Sequence, residues 1–357
     1  MGAVYFSQTL IILWLSKNGF NFSNIVVYYL ISYVVAIISI FILSKIKMEL
    51  KPTILLGVLL SALSVAVLID IHSSYQLYIS AILTGLNVIF FWIPYNMMYF
   101  KYSSEKKRGL NSGMYFLITP IVSIILQPFA GLVAEKFGFE TVFLIGIFLY
   151  VIPIFITRFL PNFEFDLNIK KELVNTGFNW PNLFQGFILR ISYSLIPLFT
   201  LFFITTPKDF GNFFGYLAIL ATVASLINAY FSDKMKSRKI FFYIFTIFAV
   251  ISFLPLAFID NVHGWIIFTG ISSLCIYLAN PFWFAFSFDY YKNINVEKTI
   301  VLREIFLDLG YVMTLLVIFI VFYFTSSTKI SLIVVSLIAC IFPVVSCLQG
   351  IYKDKNI

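Results

Sequence analysis

Residues 90–133 read FFWIPYNMMYFKYSSEKKRGLNSGMYFLITPIVSIILQPFAGLV, which is an apolar stretch, a short basic turn and a second apolar stretch. A partial copy of this unit returns 191 residues later, where Phe282 and Trp283 repeat Phe91 and Trp92. Because one unit is written twice, we expect a chain built from two similar halves.

The same offset relates the scarcest residues of the chain. Its two histidines, His72 and His263, are 191 residues apart, and so are Lys17 and Lys208. Chance seldom pairs rare residues in this way in a chain rich in phenylalanine. Two six-helix halves in parallel are an arrangement found in secondary transporters.

The composition excludes an ordinary soluble domain. Of the residues, 61% are apolar and 11% are charged, against about 25% charged in typical domains. Twelve apolar segments follow one another, each about long enough to cross roughly 30 Å of hydrocarbon as a helix. They span residues 2–16, 25–43, 53–70, 76–100, 110–133, 140–158, 182–205, 212–231, 240–259, 265–288, 304–325 and 330–350. The predicted fold class is an all-α polytopic membrane protein with twelve transmembrane helices in two six-helix bundles.

These segments predict three regions: a bundle over residues 1–158, a cytoplasmic linker over 159–181 and a second bundle over 182–357. The first helix is short, because the counterpart of Asn182 at the start of segment seven would be residue −9. Either this helix is truly short, or the start codon lies upstream of the assigned one. An in-frame extension in the upstream DNA would decide between them.

The basic residues predict the orientation. With the N-terminus inside, nineteen of the 24 Lys and Arg residues fall on the cytoplasmic side, four fall outside and Arg190 lies within a segment. Lys and Arg favour cytoplasmic loops, so we expect both termini in the cytoplasm and the protein in the plasma membrane. The same bias explains the net charge of +8 without a nucleic-acid partner.

No catalytic or metal-binding pattern stands out. Cys275, Cys340 and Cys347 lie in apolar segments without metal-ligand spacing, and the two histidines are far apart. The sequence also has no GxxxxGK[ST] nucleotide-binding loop. We expect no metal, no cofactor and no enzymatic activity.

Three loops and helices resemble those of the major facilitator superfamily. The loop FSDKMKSRK (231–239) is similar to its Asp-(Arg/Lys)-x-Gly-(Arg/Lys)-(Arg/Lys) signature, although Lys236-Ser237 stands where one Gly is usual. QPFAGLVAEKFGFETVFLI (127–145) resembles its Gly/Pro-rich fifth helix and the sixth, and EKKRG (105–109) its basic turn. The resemblance covers essentially the whole chain. It implies a central cavity lined by segments 1, 4, 7 and 10.

The resemblance also implies a gating latch, in which the signature loop of one bundle contacts the other bundle. Asp233 and Arg238 are the latch candidates. The first-half copy, LSKIKMELKP (43–52), has no Asp at the corresponding place, so a symmetric latch is not expected. The alternative is that the basic residues of the loop only fix topology and contact anionic lipid.

Arg190 is the strongest candidate for a functional residue. It lies about eight residues into segment seven, roughly 12 Å deep at 1.5 Å per residue. A charge at that depth is costly, so by default it faces a cavity or a partner. Helical spacing puts Tyr193 and Ser194 on the same face. The alternatives are that Arg190 extends to the surface or pairs structurally with Asp308.

The remaining cavity candidates are amides and aromatic residues. They are Gln8 in segment one, Asn87 and Trp92 in segment four, and Asn280 and Trp283 in segment ten. Such groups suit a small, partly apolar ligand. The alternative, which is favoured for each residue taken alone, is a contact between helices or support of a kink beside a proline.

Acidic residues are scarce in the segments. Only Glu304 and Asp308, which follow Arg303, fall within one, and neither is expected at mid-depth. These three residues are candidates for a proton or charge relay, but the sequence does not support coupling by a carboxylate at the midplane. An arginine without a buried acid beside it favours an anionic or neutral solute.

The sequence therefore predicts a secondary active transporter that moves a small solute by alternating access. We expect a proton or a sodium ion as the coupling ion, membrane lipid as surroundings and a monomer. The alternative is a membrane scaffold or sensor that kept the fold but does not transport. The incomplete latch, the short first helix and a cavity with few polar groups motivate this alternative.

Overall fold

The computed structural model describes residues 2–102, 108–176, 178–232, 238–291 and 294–348. Its helices are α1 (Gly2–Gln8), α2 (Ile11–Lys17), α3 (Phe22–Leu43), α4 (Leu50–Ala66), α5 (Ser74–Asn87), α6 (Ile93–Lys101), α7 (Arg108–Phe137), α8 (Phe139–Leu149), α9 (Val151–Ile156), α10 (Lys170–Thr176), α11 (Trp180–Arg190), α12 (Ile196–Thr200), α13 (Pro207–Ser232), α14 (Arg238–Ile251), α15 (Val262–Tyr290), α16 (Val296–Thr325), α17 (Thr328–Ala339) and α18 (Phe342–Leu348). The two strands are β1 (Lys47–Glu49) and β2 (Glu164–Asp166).

Within the described residues, ten helical runs are long and apolar enough to cross a membrane. Each of the ten coincides with one of the predicted segments. The first predicted segment is interrupted between α1 and α2, at Thr9 and Leu10, and the third is the 17-residue helix α4. The helical, multi-pass class is confirmed, and the count of twelve stays a prediction.

Two of the spans contain a wide helical turn immediately before a proline. The π-helical turns Val88–Trp92 and Ile191–Leu195 precede Ile93-Pro94 and Ile196-Pro197. Proline has no N–H, and its ring clashes with the carbonyl four residues earlier, so the helix widens instead of ending.

A small sheet that the sequence did not predict joins the linker to the first half of the chain. β1 and β2 pair antiparallel, with Met48 opposite Phe165. Phe165, Leu167 and Ile169 are buried, so alternate side chains of the linker face the protein. The linker therefore packs against the protein as an extended segment and is not fully exposed to solvent.

The linker also contacts the second half of the chain through Lys298. The ammonium group of Lys298 binds the carboxylate of Asp166, and it donates to the backbone carbonyl of Asn168 at 2.6 Å. Partial burial raises the pKa of Asp166, but the hydrogen bond and the charge of Lys298 outweigh it, so the pKa lies below its ordinary value. The contact is therefore present at neutral pH and is lost only in acid.

Helix α16 begins at Val296, eight residues before the predicted start at 304. The earlier start places Glu304 about 12 Å and Asp308 about 18 Å along the helix axis. The predicted start at 304 is therefore eight residues late. It was placed where the charged residues stop, whereas Arg303, Glu304 and Asp308 belong to the buried part of the helix.

The two halves of the chain meet along α7 with α13 and along α3 with α16. Glycines bring α7 and α13 together, because a methyl group added at Gly131 would lie 2.6 Å from the carbonyl oxygen of Pro207. Tyr33 on α3 and Tyr311 on α16 pack edge to face, with ring centroids 4.7 Å apart. The space between these contacts contains the candidate site.

Candidate functional site

A cavity of about 480 Å³ lies between the two halves of the chain. Its walls come from residues 4–127 of the first half and residues 189–311 of the second. Tyr193 is 43% exposed although it lies in a transmembrane run, because it lines this space. The two π-helical turns contribute to the wall through Val88, Trp92, Ser192 and Tyr193.

Arg190 lies on the cavity wall inside a cage of three tyrosine rings. Its guanidinium carbon is 4.2 Å from the ring centroid of Tyr29, 4.5 Å from that of Tyr33 and 5.8 Å from that of Tyr311. One nitrogen, Nη1, donates to the hydroxyl of Tyr33 at 2.5 Å. Cation–π contacts of this kind stabilise a desolvated guanidinium by about 2 kcal/mol. The cage therefore surrounds the guanidinium of Arg190, which has no carboxylate partner among the described residues.

Two carboxylates share the cavity with Arg190. Glu304 and Asp308, which the sequence placed away from the expected cavity helices, both line it and are buried. The premise that Arg190 has no buried acid near it is therefore wrong. Among the described residues Arg190 forms no salt bridge with Asp308, so the structural pairing considered from the sequence is not observed.

Glu304 belongs to a polar network that links the two halves. Its Oε1 accepts from Nη1 of Arg303 at 2.9 Å and from Nδ2 of Asn96 at 3.4 Å. The Oδ1 atom of Asn96 in turn accepts from the hydroxyl of Tyr115 at 2.7 Å. Arg303 also stacks on Phe284, 4.2 Å from the ring centroid. The network forms one end of the cavity.

Beyond this network the helix ends close the cavity toward Lys101. The rings of Phe100 and Phe284 stack with centroids 4.5 Å apart. The ammonium group of Lys101 then lies 2.6 Å from Oε1 of Glu297 and 3.8 Å from the ring centroid of Phe163 in the linker. Aromatic packing inside therefore holds α6 against α15, and an ion pair outside holds α6 against α16 at this end.

We expect the substitution Lys101→Gln to make the cavity more accessible from the Lys101 side. An exposed ion pair contributes about 1 kcal/mol or less, so opening should become about two- to fivefold more frequent. The measurement is the rate at which an impermeant maleimide labels Ser123→Cys, a cavity position, after the native cysteines are replaced by serine. Lys51→Gln is the control, because the ammonium group of Lys51 donates to the backbone carbonyl of Arg158, within the first half. Equal labelling rates in both variants would contradict the role given to Lys101.

The structure brings most of the predicted cavity residues together. Gln8, Asn87, Trp92, Tyr193 and Asn280 line the cavity with Arg190 and the Arg303, Glu304 and Asp308 group. Asn87 also has a structural contact, since its Nδ2 donates to the carbonyl of Gly57 at 2.8 Å.

Two of the predicted cavity residues do not line the cavity, and the two latch candidates lie outside the described part of the chain. Trp283 is buried away from the wall, where its Nε1 donates to Thr246 at 2.8 Å, and Ser194 is buried without lining the cavity. Asp233 and the side chain of Arg238 fall outside the part of the chain that the structure describes, so the latch is not tested.

Sequence reasoning missed the tyrosine cage. Tyr29, Tyr33 and Tyr311 lie on segments two and eleven, whereas the cavity was expected to be lined by segments one, four, seven and ten. The expectation of a cavity with few polar groups was wrong for the same reason. Seven tyrosines line it, and serine, threonine and glutamine side chains from several helices add hydroxyl and amide groups.

Comparison with known families supports the resemblance noted above. The model of the Major Facilitator Superfamily matches residues 1–313 of the 357-residue chain. The chain belongs to this superfamily. A search of curated proteins finds no relative that matches it.

Membership in the major facilitator superfamily implies a transporter-type function. In the described residues, no group of three or more His, Cys, Asp or Glu side chains is placed to hold a metal ion. The cavity offers paired and unpaired charges, tyrosine rings and amides. These groups can bind and orient a polar solute.

Proposed function

We propose that this superfamily member is a secondary active transporter of a small solute that works by alternating access. The observation that carries the proposal is the cavity between the two halves, with Arg190, Arg303, Glu304 and Asp308 all buried on its wall. Burying four ionisable side chains in the apolar interior is unfavourable, and a purely structural membrane protein would not require them. A solute path explains why they are there.

The proposal extends to the organisation of the chain. We propose two six-helix bundles, residues 1–158 and 182–357, joined by a cytoplasmic linker over 159–181 in a monomeric plasma-membrane protein with both termini in the cytoplasm. The excess of Lys and Arg at the Lys101 end supports this orientation. The bundles would rock about the cavity, which requires the contacts at the Lys101 end to separate and re-form.

The direct test is uptake into proteoliposomes. Purified protein is reconstituted and offered a panel of labelled small solutes, with and without a pH or sodium gradient. Gradient-dependent accumulation of at least one solute is the expected result. If no solute accumulates although the protein binds one in detergent, the scaffold or sensor alternative is favoured.

Glu304 is the residue that we expect to couple the ion gradient to the rocking of the two bundles. It contacts Arg303 within the second half and Asn96 across the interface, so a change in its charge affects both the site and the closed end. Loss of the negative charge removes the ion pair with Arg303, which keeps its contact with Phe284, and weakens the link to Asn96.

We therefore expect Glu304→Gln to reduce gradient-driven accumulation about tenfold or more, because the charge-assisted contact that it removes is worth about 1.5–3 kcal/mol. Exchange of labelled for unlabelled solute, which needs no gradient, should stay within about twofold, since binding itself is kept. Glu135→Gln on α7 is the control, because Glu135 is exposed and lies outside the cavity wall. Full accumulation in Glu304→Gln would remove Glu304 from the coupling.

A further inference from the structure

The four buried charges of the cavity do not have equal surroundings. Arg303 and Glu304 are paired with each other at 2.9 Å. Arg190 and Asp308 remain, and among the described residues neither has an opposite charge within salt-bridge distance. The cavity therefore presents one guanidinium and one carboxyl group that have no salt-bridge partner among the described residues.

Both groups also have polar atoms without a partner. Nε and Nη2 of Arg190 and Oδ2 of Asp308 are buried and form no hydrogen bond with the described residues. A buried donor or acceptor that loses its partner costs about 1–3 kcal/mol, more when charged. These atoms are therefore positioned to form hydrogen bonds with a ligand that carries an acceptor for Arg190 and a donor for Asp308.

The positions of the two groups follow from the packing of α11 against α16. A methyl group added at Gly186 would lie 2.2 Å from the carbonyl oxygen of Leu307, and one at Gly310 would lie 2.0 Å from that of Leu183. The helices are therefore antiparallel and in close contact, and Arg190 is level with residue 303. Asp308 is then about 7–8 Å away along the axis, at 1.5 Å per residue.

We propose that the cavity binds dipolar solutes, which carry a carboxylate and an ammonium group in one small molecule. The carboxylate binds the free nitrogens of Arg190, and the ammonium binds Asp308. An anion alone leaves Asp308 without a partner, and a cation alone leaves Arg190 without one. The solute class thus becomes narrower than the anionic or neutral solute expected from the sequence.

The surrounding groups fit this class. The tyrosine cage holds one face of the Arg190 guanidinium, which leaves Nε and Nη2 as the donors for a planar carboxylate. Asn280, whose Oδ1 has no partner in the described residues, adds an acceptor to the same wall. Aromatic rings on the remaining wall accept the apolar body of the solute.

The inference rests on the proposed solute site, but its test does not depend on transport. Binding is measured as the shift in the thermal unfolding midpoint of the purified full-length protein in detergent. The probes are leucine, phenylalanine and alanyl-phenylalanine, each compared with its N-acetyl form, which is an anion, and its methyl ester, which is a cation. We expect at least one parent compound to bind about tenfold or more tightly than both of its capped forms.

Two variants assign the charges. Arg190→Gln should remove the preference for the parent over the methyl ester, and Asp308→Asn should remove the preference over the N-acetyl form. Lys136→Gln, at an exposed position, should leave both preferences unchanged. The double variant should bind all three forms equally.

Three results would overturn the inference. One is a panel in which every parent has a capped form that binds as tightly as it does, and another is a panel in which no compound binds. The third is an Asp308→Asn variant with unchanged preferences, which would make Asp308 a proton site and not a solute contact. The proposed transport function is tested separately. Uptake of a singly charged solute would support a transporter and would contradict only the inference about dipolar solutes.

Discussion

The variant Arg190→Ala is expected to abolish solute uptake while the protein stays folded. Removing the guanidinium takes away the only unpaired cation that the described cavity wall offers, and a desolvated charge contact of this kind is worth about 2–5 kcal/mol. Uptake by proteoliposomes at low solute concentration should therefore fall about 30-fold or more. The solute measured is the one that the wild-type protein accumulates most strongly.

The thermal unfolding midpoint separates a binding role from a structural one. A buried charge without a carboxylate partner is costly to the fold, so its removal should leave the midpoint unchanged or raise it. If Arg190 instead stabilised the bundle, the midpoint would fall. Arg190→Lys should bind weakly, since an ammonium cannot present the planar pair of donors. Arg158→Ala, at an exposed position outside the cavity wall, is the control, and unchanged uptake in Arg190→Ala would contradict the assignment.

Arg190 could be found from the sequence because a charge inside an apolar segment has few explanations. The helical spans could be found for a related reason, since their lengths are set by the bilayer. The tyrosine cage had no comparable signal. Tyr29 and Tyr33 lie in an apolar helix where a tyrosine is ordinary, and only the packing of α3 against α16 shows that their rings face the guanidinium.

The places where sequence reasoning failed have physical causes. Glu304 and Asp308 were placed too near a helix end because charged residues were taken to mark the edge of the apolar slab. The strands β1 and β2 have three residues each, which is too short for an alternating pattern to be read.

The repeat is also limited as a guide to side-chain roles. Trp92 lines the cavity, whereas its counterpart Trp283 is buried with its N–H on Thr246. A shared backbone pattern predicts equivalent helices. It does not predict which face of each helix the neighbouring helices cover.

The close packing of α11 against α16 makes the protein sensitive to a substitution at Gly310. A methyl group at Gly310 would lie 2.0 Å from the carbonyl oxygen of Leu183 and 2.6 Å from the backbone nitrogen of Phe187. Both are backbone atoms, so no side chain can rotate out of the way and the helices must separate. The hydrogen bond from Thr314 Oγ1 to the carbonyl of Phe187, 3.0 Å long, would lengthen as well.

We therefore expect Gly310→Ala to lower the unfolding midpoint by roughly 3–10 °C, which corresponds to an overpacking cost of about 1–3 kcal/mol. Gly2→Ala is the control, because there the added methyl meets only the ends of the Leu126 and Val122 side chains, at 3.3 and 3.9 Å. Uptake should fall with stability, since Arg190 and Asp308 lie on these two helices and their spacing depends on this contact. A variant with an unchanged midpoint would mean that the helices do not touch at Gly310. A variant with a lowered midpoint and full uptake would mean that the spacing of the two charges does not control solute binding.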